Sequence, residues 1–154
     1  MTLKDLSELK WHNDCKGTKM PHDYVPKDKF TDKTANSLTK AIVTYINLIG
    51  GQAERISSMG RVIDGRKVVT NTLGQTGIIG SQTYIRGTST NGTADISAIY
   101  KGKSLKIEVK IGKDKQSEVQ KIYEANVNRA GGFYILAKDW NGFIESFNTI
   151  TKPC

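Results

Sequence analysis

Apolar and charged residues alternate strictly along residues 105–111 of the chain. A period of two is typical of a β-strand, so Glu108 and Lys110 should lie on the same face of that strand. Residues 94–100 predict a neighbouring strand with Asp95 at its beginning. A short glycine turn joins the two strands. The pattern therefore predicts that two carboxylates and one ammonium group come together.

Two further stretches have the spacing of apolar residues that is typical of amphipathic helices. Residues 34–49 start at a possible N-cap, Thr34, and stop at two consecutive glycines. Residues 117–129 start with the pattern Ser-Glu-Val-Gln, in which Gln120 and Ser117 can form a capping box. We expect a helix at each position.

Shorter apolar runs between these helices predict strands. One strand is expected around residues 52–57, and residues 61–69 should form a hairpin that turns at Asp64-Gly65. The segment 72–92 is rich in glycine, serine and threonine and is too long for a simple connection. It should be either a functional loop or a segment with short strands of its own.

The C-terminal part predicts two more strands. Residues 133–137 are continuously apolar, as expected of a strand buried on both faces. Asn141-Gly142 should then turn the chain into a last strand at residues 143–147. The order of all these elements predicts an α/β fold with a central mixed sheet flanked by helices.

The length allows one compact domain with a core of its own. Residues 1–33 are polar and show little periodicity, which predicts an N-terminal arm whose few apolar residues, Trp11 among them, can dock on the core. Residues 34–150 should form the domain itself, and residues 151–154 a tail.

The chain is strongly basic, with 23 Lys and Arg against 15 Asp and Glu in 154 residues and a net charge of +8. Such a surplus favours a polyanionic partner, most simply nucleic acid, although a basic protein without such a partner stays an alternative. We find no signal-peptide pattern and no apolar run long enough for a membrane. A disulfide between Cys15 and Cys154 is possible but not required, which favours a reducing cytoplasm.

Two carboxylates on adjacent strands are suited to hold a hard divalent cation, and an ammonium group beside them can stabilise charge on a phosphoryl group. This is the equipment of metal-assisted phosphodiester hydrolysis. The alternative is an ordinary solvated strand face, because an isolated Glu-x-Lys is common in strands.

The combined motifs resemble the PD-(D/E)xK nuclease superfamily, and within it most closely the VRR-NUC family, over about residues 34–147. The resemblance rests on four short stretches: Gly-Thr-Ala-Asp at 92–95, Ile-Glu-Val-Lys at 107–110, the run from Gly112 to Gln120, and the glycines at 131 and 132. It implies a restriction-endonuclease-like α-β-β-β-α-β core. Members of the family occur alone in phages and bacteria, which would place the protein in a bacterial or phage-infected cell.

The resemblance also implies roles for individual residues. Asp95 and Glu108 would be metal ligands for Mg²⁺ (or Mn²⁺), with the carbonyl of Val109 as a further ligand, and Lys110 would be the catalytic lysine. Gln120 would support the site or a phosphate, although its capping-box role competes with that interpretation.

The sequence departs from the family in two respects. Many members carry a glutamate on the first helix, but residues 34–49 contain none, so that Glu54 would have to substitute or water would fill the place. Ala94 stands where the family usually has proline. The missing carboxylate leaves the number of metal ions open.

The function that these observations predict is a metal-dependent DNA endonuclease, acting on branched or flap DNA as its relatives do. The alternative is a non-catalytic nucleic-acid-binding module on a nuclease fold. A homodimer would be plausible by analogy with resolvase-like nucleases. The candidate DNA-contacting residues are basic side chains near the motifs and in the segment before them: Lys113, Lys115, Arg55, Arg61, Arg66 and Arg86. Tyr84 could stack on an exposed base, or simply pack within its loop.

Overall fold

A computed structural model of the chain describes residues 1–56, 60–85, 87 and 90–152. The chain divides into two compact units, one made of residues 1–56 and 91–154 and the other of residues 57–90. In chain order the elements are α1 (Leu3–Lys16), α2 (Ala35–Leu48), β1 (Gln52–Arg55), β2 (Arg61–Asp64), β3 (Lys67–Thr70), β4 (Thr76–Ile79), β5 (Gln82–Ile85), β6 (Ile96–Tyr100), β7 (Lys103–Val109), α3 (Glu118–Arg129), β8 (Phe133–Ala137) and α4 (Trp140–Thr151), with a short 3-10 turn at His22–Tyr24.

The first unit is built on a four-stranded sheet of order β1-β6-β7-β8. The first three strands pair antiparallel, while β8 runs parallel to β7 after the crossover through α3. The predicted α/β fold with a central mixed sheet and flanking helices is therefore confirmed. β6 and β7 are joined by the two-residue turn Lys101-Gly102, in which both residues have positive φ, 48° and 75°, as a tight hairpin requires.

One face of this sheet carries the core. The alternate residues Leu105, Ile107 and Val109 of β7 are buried there together with side chains of α2 and α4. The helix predicted from Thr34 is confirmed as α2, and the Thr34 side chain accepts a hydrogen bond from the backbone N–H of Ser37 at 3.2 Å. The opposite, more polar face of the sheet meets α3.

The predicted strand at residues 143–147 is wrong, because this segment lies within α4. Asp139 caps the helix, and its side chain accepts the backbone N–H of Gly142 at 2.8 Å. The buried residues Phe143 and Phe147 lie one turn apart on the core side of the helix. Asn141-Gly142 therefore belongs to the first helical turn. The aromatic residues that follow are buried because their spacing places them on one face of this helix.

The N-terminal segment is more ordered than the expected arm. α1 begins with a capping box between Thr2 and Asp5, which accounts for a helix that the weak apolar periodicity did not predict. Leu6 is fully buried in the core, and the indole N–H of Trp11 donates to the carbonyl of Val25 at 3.1 Å. The docking of apolar residues of this segment is thus confirmed for Leu6.

The second unit is a two-stranded antiparallel ribbon. β2 pairs with β5 and β3 pairs with β4, so the chain runs out along β2 and β3 and returns along β4 and β5. The hairpin predicted at Asp64-Gly65 is wrong. These residues join two consecutive strands of the same ribbon arm, because the Gly65 N–H continues the ladder to the carbonyl of Ser81 at 3.1 Å.

Two further predictions are not fully confirmed by the structure. The strand predicted at residues 133–137 is confirmed as β8, but only Ile135 and Ala137 are buried while the other three residues are half-buried. Cys15 is buried. Cys154, with which the sequence allows a disulfide, lies outside the described residues. Across the described ranges, no helix has both the length and the apolar character needed to cross a membrane.

Candidate active site

Asp95 and Glu108 lie opposite each other on neighbouring segments of the sheet. Ile96 is paired with Ile107 in the antiparallel register of β6 and β7, and one further step in this register sets Asp95 beside Glu108. Asp95 is fixed there by a hydrogen bond, because its Oδ2 accepts the backbone N–H of Val109 at 3.0 Å. The two carboxylates therefore share one face of the sheet, as the sequence pattern predicts.

Lys110 joins this pair from the end of β7. Its Nζ lies 3.1 Å from Glu108 Oε1 and 3.4 Å from Asp114 Oδ2. Its side chain is only 12% exposed, so the ammonium group is held close to the carboxylate rather than extended into solvent. The expectation that Glu108 and Lys110 lie on the same face is confirmed.

Gln120 on α3 closes the site from above the sheet. Its amide nitrogen donates to Glu108 Oε1, and its amide oxygen accepts the backbone N–H of Ser117 at 2.9 Å. The same side chain thus completes the predicted capping box of α3 and holds the carboxylate. The capping-box interpretation of Gln120 is confirmed, and the contact with Glu108 places the same residue at the acidic site.

Gly92 lets the loop before Asp95 approach the first turn of α3. It has a φ of +76°, and a Cβ atom there would lie 2.6 Å from the carbonyl oxygen of Val119. Only glycine tolerates both the dihedral angle and the close approach. This contact brings the loop that precedes Asp95 against the helix that carries Gln120.

Glu108 is the most buried charged group of the site, with a side chain only 2% exposed. Burial raises the pKa of its carboxyl, and the neighbouring Asp95 raises it further, while Lys110 partly offsets the rise. Its Oε2 is buried without a well-aligned hydrogen-bond partner among the described residues, although the nearby backbone N–H of Asp95 slightly lowers the pKa of the carboxyl. A buried carboxylate oxygen without a donor is costly unless a cation compensates it.

The pKa of Lys110 is also raised, which in a lysine favours the charged form. Burial would lower the pKa of its ammonium group, but the hydrogen bond and ion pair with Glu108, helped by Asp114, raise it overall. Lys110 is therefore charged at neutral pH, and its ammonium group is held as a cation between Glu108 and Asp114.

Tyr134 is a neighbour of the site that the sequence did not reveal. It lies on β8 opposite Lys106, on the face of the sheet that carries Glu108. Its hydroxyl is buried without a well-aligned hydrogen-bond partner. Burial raises the pKa of this hydroxyl, and nearby Glu108, Glu124 and Asp95 raise it further, against a smaller opposing effect of the Gln116 side chain.

Glu124 and Gln116 complete this side of the site. The amide of Gln116 donates to Glu124 Oε2 at 2.9 Å, and Glu124 lies one helical turn beyond Gln120 on α3. The spacing of four residues between Gln120 and Glu124 is readable in the sequence. The position of Tyr134 is not, because it depends on the register of the parallel pair β7 and β8.

The donor atoms at the site suit a hard cation. Asp95 and Glu108 offer carboxylate oxygens, the ligand type that Mg²⁺ and Mn²⁺ prefer, and the unpartnered Oε2 of Glu108 is one of them. No group of three or more His, Cys, Asp or Glu side chains in the described residues is arranged to hold a metal. Glu54, although it shares a face with Ser97, therefore does not supply a third carboxylate in this structure.

The predicted DNA-contacting residues are scattered. Lys113 and Lys115 are exposed in the loop between β7 and α3, and Arg55 lies at the end of β1, on the α2 side of the sheet. Arg61 lies on the ribbon of the second unit, and Arg86 lies outside the described residues.

On the same ribbon, Arg66 forms a two-point ion pair with Asp64, at 2.9 and 2.7 Å, and Tyr84 is 65% exposed. The exposed ring leaves the stacking interpretation of Tyr84 open. Arg66, by contrast, could contact a phosphate only if its ion pair with Asp64 were broken.

The chain matches no model of a known protein family, and no curated protein matches it.

Proposed function

We propose that the protein is a divalent-metal-dependent endodeoxyribonuclease that hydrolyses phosphodiester bonds at the site of Asp95, Glu108 and Lys110. The observation that carries the proposal is the buried, unpartnered Oε2 of Glu108 next to a second carboxylate and a fixed ammonium group. A structural ion pair does not need a carboxylate oxygen left without a donor. A cation site does.

The residues divide the work in a simple way. Asp95 and Glu108 would hold Mg²⁺ (or Mn²⁺), with the carbonyl of Val109 as a candidate third ligand. When bound, the ion supplies a Lewis acid that polarises the phosphoryl oxygens of the substrate. Lys110 would donate a hydrogen bond to the phosphate oxygen on which negative charge develops, or orient the attacking water.

Gln120 would act as a positioning residue. It holds one oxygen of Glu108 and leaves the other oriented for the cation. Groups that orient a metal ligand in this way typically contribute about 10- to 100-fold to metal affinity or activity.

The same observations support assignment to the PD-(D/E)xK superfamily and to its VRR-NUC family, with a restriction-endonuclease-like core. The supporting features are the hairpin that carries Asp95 and Glu-x-Lys, the helix that returns a glutamine to the glutamate, and the parallel strand that follows. Branched or flap DNA is the substrate that this assignment favours, and the excess of basic residues agrees with a polyanionic partner.

A second candidate is a non-catalytic DNA-binding module on the same fold. The feature that favours it is the absence of a third metal-ligating side chain beside Asp95 and Glu108 within the residues described. Such a module would bind DNA in a salt-sensitive manner in the presence of EDTA and would not cut it.

Cleavage assays separate the two candidates. Purified protein is incubated with four-way junction, flap and linear duplex DNA, with Mg²⁺, Mn²⁺ or EDTA. The proposal predicts metal-dependent cleavage that Asp95→Asn and Glu108→Gln abolish, while the matched surface variant Glu145→Gln on α4 cuts normally. Cleavage that survives both site variants would reject the site, and DNA binding without any cleavage would favour the second candidate.

A further inference from the structure

The ribbon formed by β2 to β5 is exposed along its whole length. Every residue of its four strands is exposed to solvent. At about 3.3 Å per residue, the ten positions from Arg61 to Thr70 extend about 30 Å. Isolated two-stranded ribbons are marginally stable in water, so a partner that covers this ribbon would stabilise it.

The ribbon carries more net positive charge for its length than the rest of the chain, because it has few acidic residues. Residues 57–90 contain four arginine or lysine residues and one aspartate. Arg61 and Lys67 are exposed on the described part of the ribbon. This charge is complementary to a phosphate backbone.

The tip of the ribbon is a hydrogen-bonded turn that presents a leucine. Asn71 fixes the turn, because its Oδ1 accepts the backbone N–H groups of Leu73 and Gln75 at 3.0 and 2.9 Å, and its backbone N–H donates to the carbonyl of Gln75 at 2.9 Å. Gly74 supplies the positive φ of 79° that the turn needs. The Leu73 side chain nevertheless stays 81% exposed.

We propose that this ribbon is a DNA-binding arm that lies in a groove of duplex DNA and inserts Leu73 between two bases. A two-stranded ribbon fits the grooves of DNA, and proteins that kink DNA insert apolar side chains such as leucine into a base step. The inference rests on the proposed function in taking DNA as the partner. It adds an element of substrate recognition separate from the catalytic residues.

The distribution of apolar residues favours a groove over a second copy of the chain. Val62 and Tyr84 face one side of the ribbon, whereas Ile63 lies on the other side. Packing of two ribbons face to face would need an apolar side and a polar side. A groove contacts both sides, because its two walls are lined by deoxyribose carbon atoms and edged by phosphates.

The insertion of Leu73 is tested by base unstacking, with binding measured in EDTA so that cleavage plays no part. The probe is a duplex of about 30 base pairs with 2-aminopurine at its TA steps, which unstack most easily. Wild-type protein should raise the 2-aminopurine fluorescence. Leu73→Ala should lose most of that rise and bind about tenfold more weakly, whereas Leu73→Met should retain both.

The basic residues of the arm are tested separately by the salt dependence of binding. The double variant Arg61→Gln, Lys67→Gln should make the negative slope of log K against log salt shallower by about two, since each phosphate contact contributes about −0.9. Leu73→Ala should leave the slope unchanged. Ile99, an apolar residue outside the ribbon that is 58% exposed, provides the matched control. Ile99→Ala should behave like the wild type in both assays.

The outcomes separate this inference from the proposed function. If wild-type protein cuts DNA but Leu73→Ala and the double variant bind and unstack DNA normally, the arm is rejected and the nuclease stands. If the variants behave as expected but no condition yields cleavage, the arm stands and the nuclease does not. If Leu73→Ala converts a dimer into a monomer in sedimentation without changing DNA affinity, the ribbon is an interface between copies and the arm is rejected.

Discussion

Gln120 binds Ser117 and Glu108 with opposite ends of one side-chain amide. The oxygen completes the capping box of α3 and the nitrogen holds the buried carboxylate of Glu108. The start of the helix and the acidic site are therefore coupled through a single residue. Any change at Gln120 should affect both the stability of α3 and the chemistry of Glu108.

Gln120→Ala should reduce stability and metal affinity together. Loss of the cap should lower the free energy of unfolding by about 1 kcal/mol. Loss of the contact with Glu108 should weaken apparent Mn²⁺ affinity about 10- to 100-fold. Thermal unfolding and titration calorimetry measure the two effects. Ser117→Ala is the control, because it removes the cap alone and should lower stability by a similar amount with metal affinity retained.

The stability of the protein should depend on pH through Glu108. Its pKa is raised above 4.5 by burial and by Asp95, so the folded state favours the protonated carboxyl. The free energy of unfolding should therefore fall as pH rises from 4.5 through the raised pKa.

Glu108→Gln isolates this contribution. The variant should be more stable than the wild type by about 1 kcal/mol at neutral pH in EDTA, because the buried carboxylate charge is removed while Lys110 keeps Asp114 as its partner. Urea unfolding as a function of pH should show the difference vanish at pH values below 4.5. A difference that stays constant with pH would contradict the account.

Lys110→Met should impair turnover more than binding. Removal of a fixed cation next to the reacting phosphate typically costs about 100- to 1000-fold in kcat. DNA affinity should change only a few-fold, since one buried ammonium group contributes little to attraction of the duplex. Lys113→Met is the matched control in the exposed loop beyond it. This control should weaken DNA binding and leave kcat at saturating DNA unchanged.

Tyr134→Phe should stabilise the protein. The hydroxyl of Tyr134 is buried without a well-aligned partner, and removal of such a group typically gains about 1 kcal/mol. Chemical unfolding in EDTA measures the change. A loss of stability in Tyr134→Phe would contradict this prediction, because it would show that the hydroxyl makes a contact that stabilises the protein by more than its desolvation costs. Tyr123→Phe on α3, whose ring lies 6.4 Å from that of Tyr134, provides the comparison.

The elements around the site could be predicted because their signals are local. Strict alternation in β7 fixes which side chains share a face, and the Ser-Glu-Val-Gln pattern fixes the first turn of α3. Each pattern spans only a few consecutive residues. The shared face of Glu108 and Lys110 and the capping role of Gln120 follow directly from them, and the place of Asp95 follows from the short turn that joins β6 to β7.

The errors arise where the structure depends on pairing between distant residues. The ribbon pairs Asp64 with Gln82, and no local pattern distinguishes this pairing from a tight hairpin at Asp64-Gly65. The position of Tyr134 depends on the parallel register of β8 with β7 in the same way.

The prediction of a strand in place of α4 was wrong for a different reason. Asn141-Gly142 is a strong turn signal, but these two residues lie in the first turn of α4, which Asp139 caps. The buried aromatic residues that follow fit a helix or a strand over so short a stretch.

A crystal grown with Mn²⁺ tests the central claim most directly, through the anomalous scattering of the ion. The account predicts one strong anomalous peak within coordination distance of a carboxylate oxygen of Asp95 and of Glu108 Oε2, and no such peak in Glu108→Gln crystals. A peak at any other place in the wild-type protein, or none at saturating Mn²⁺, would contradict it.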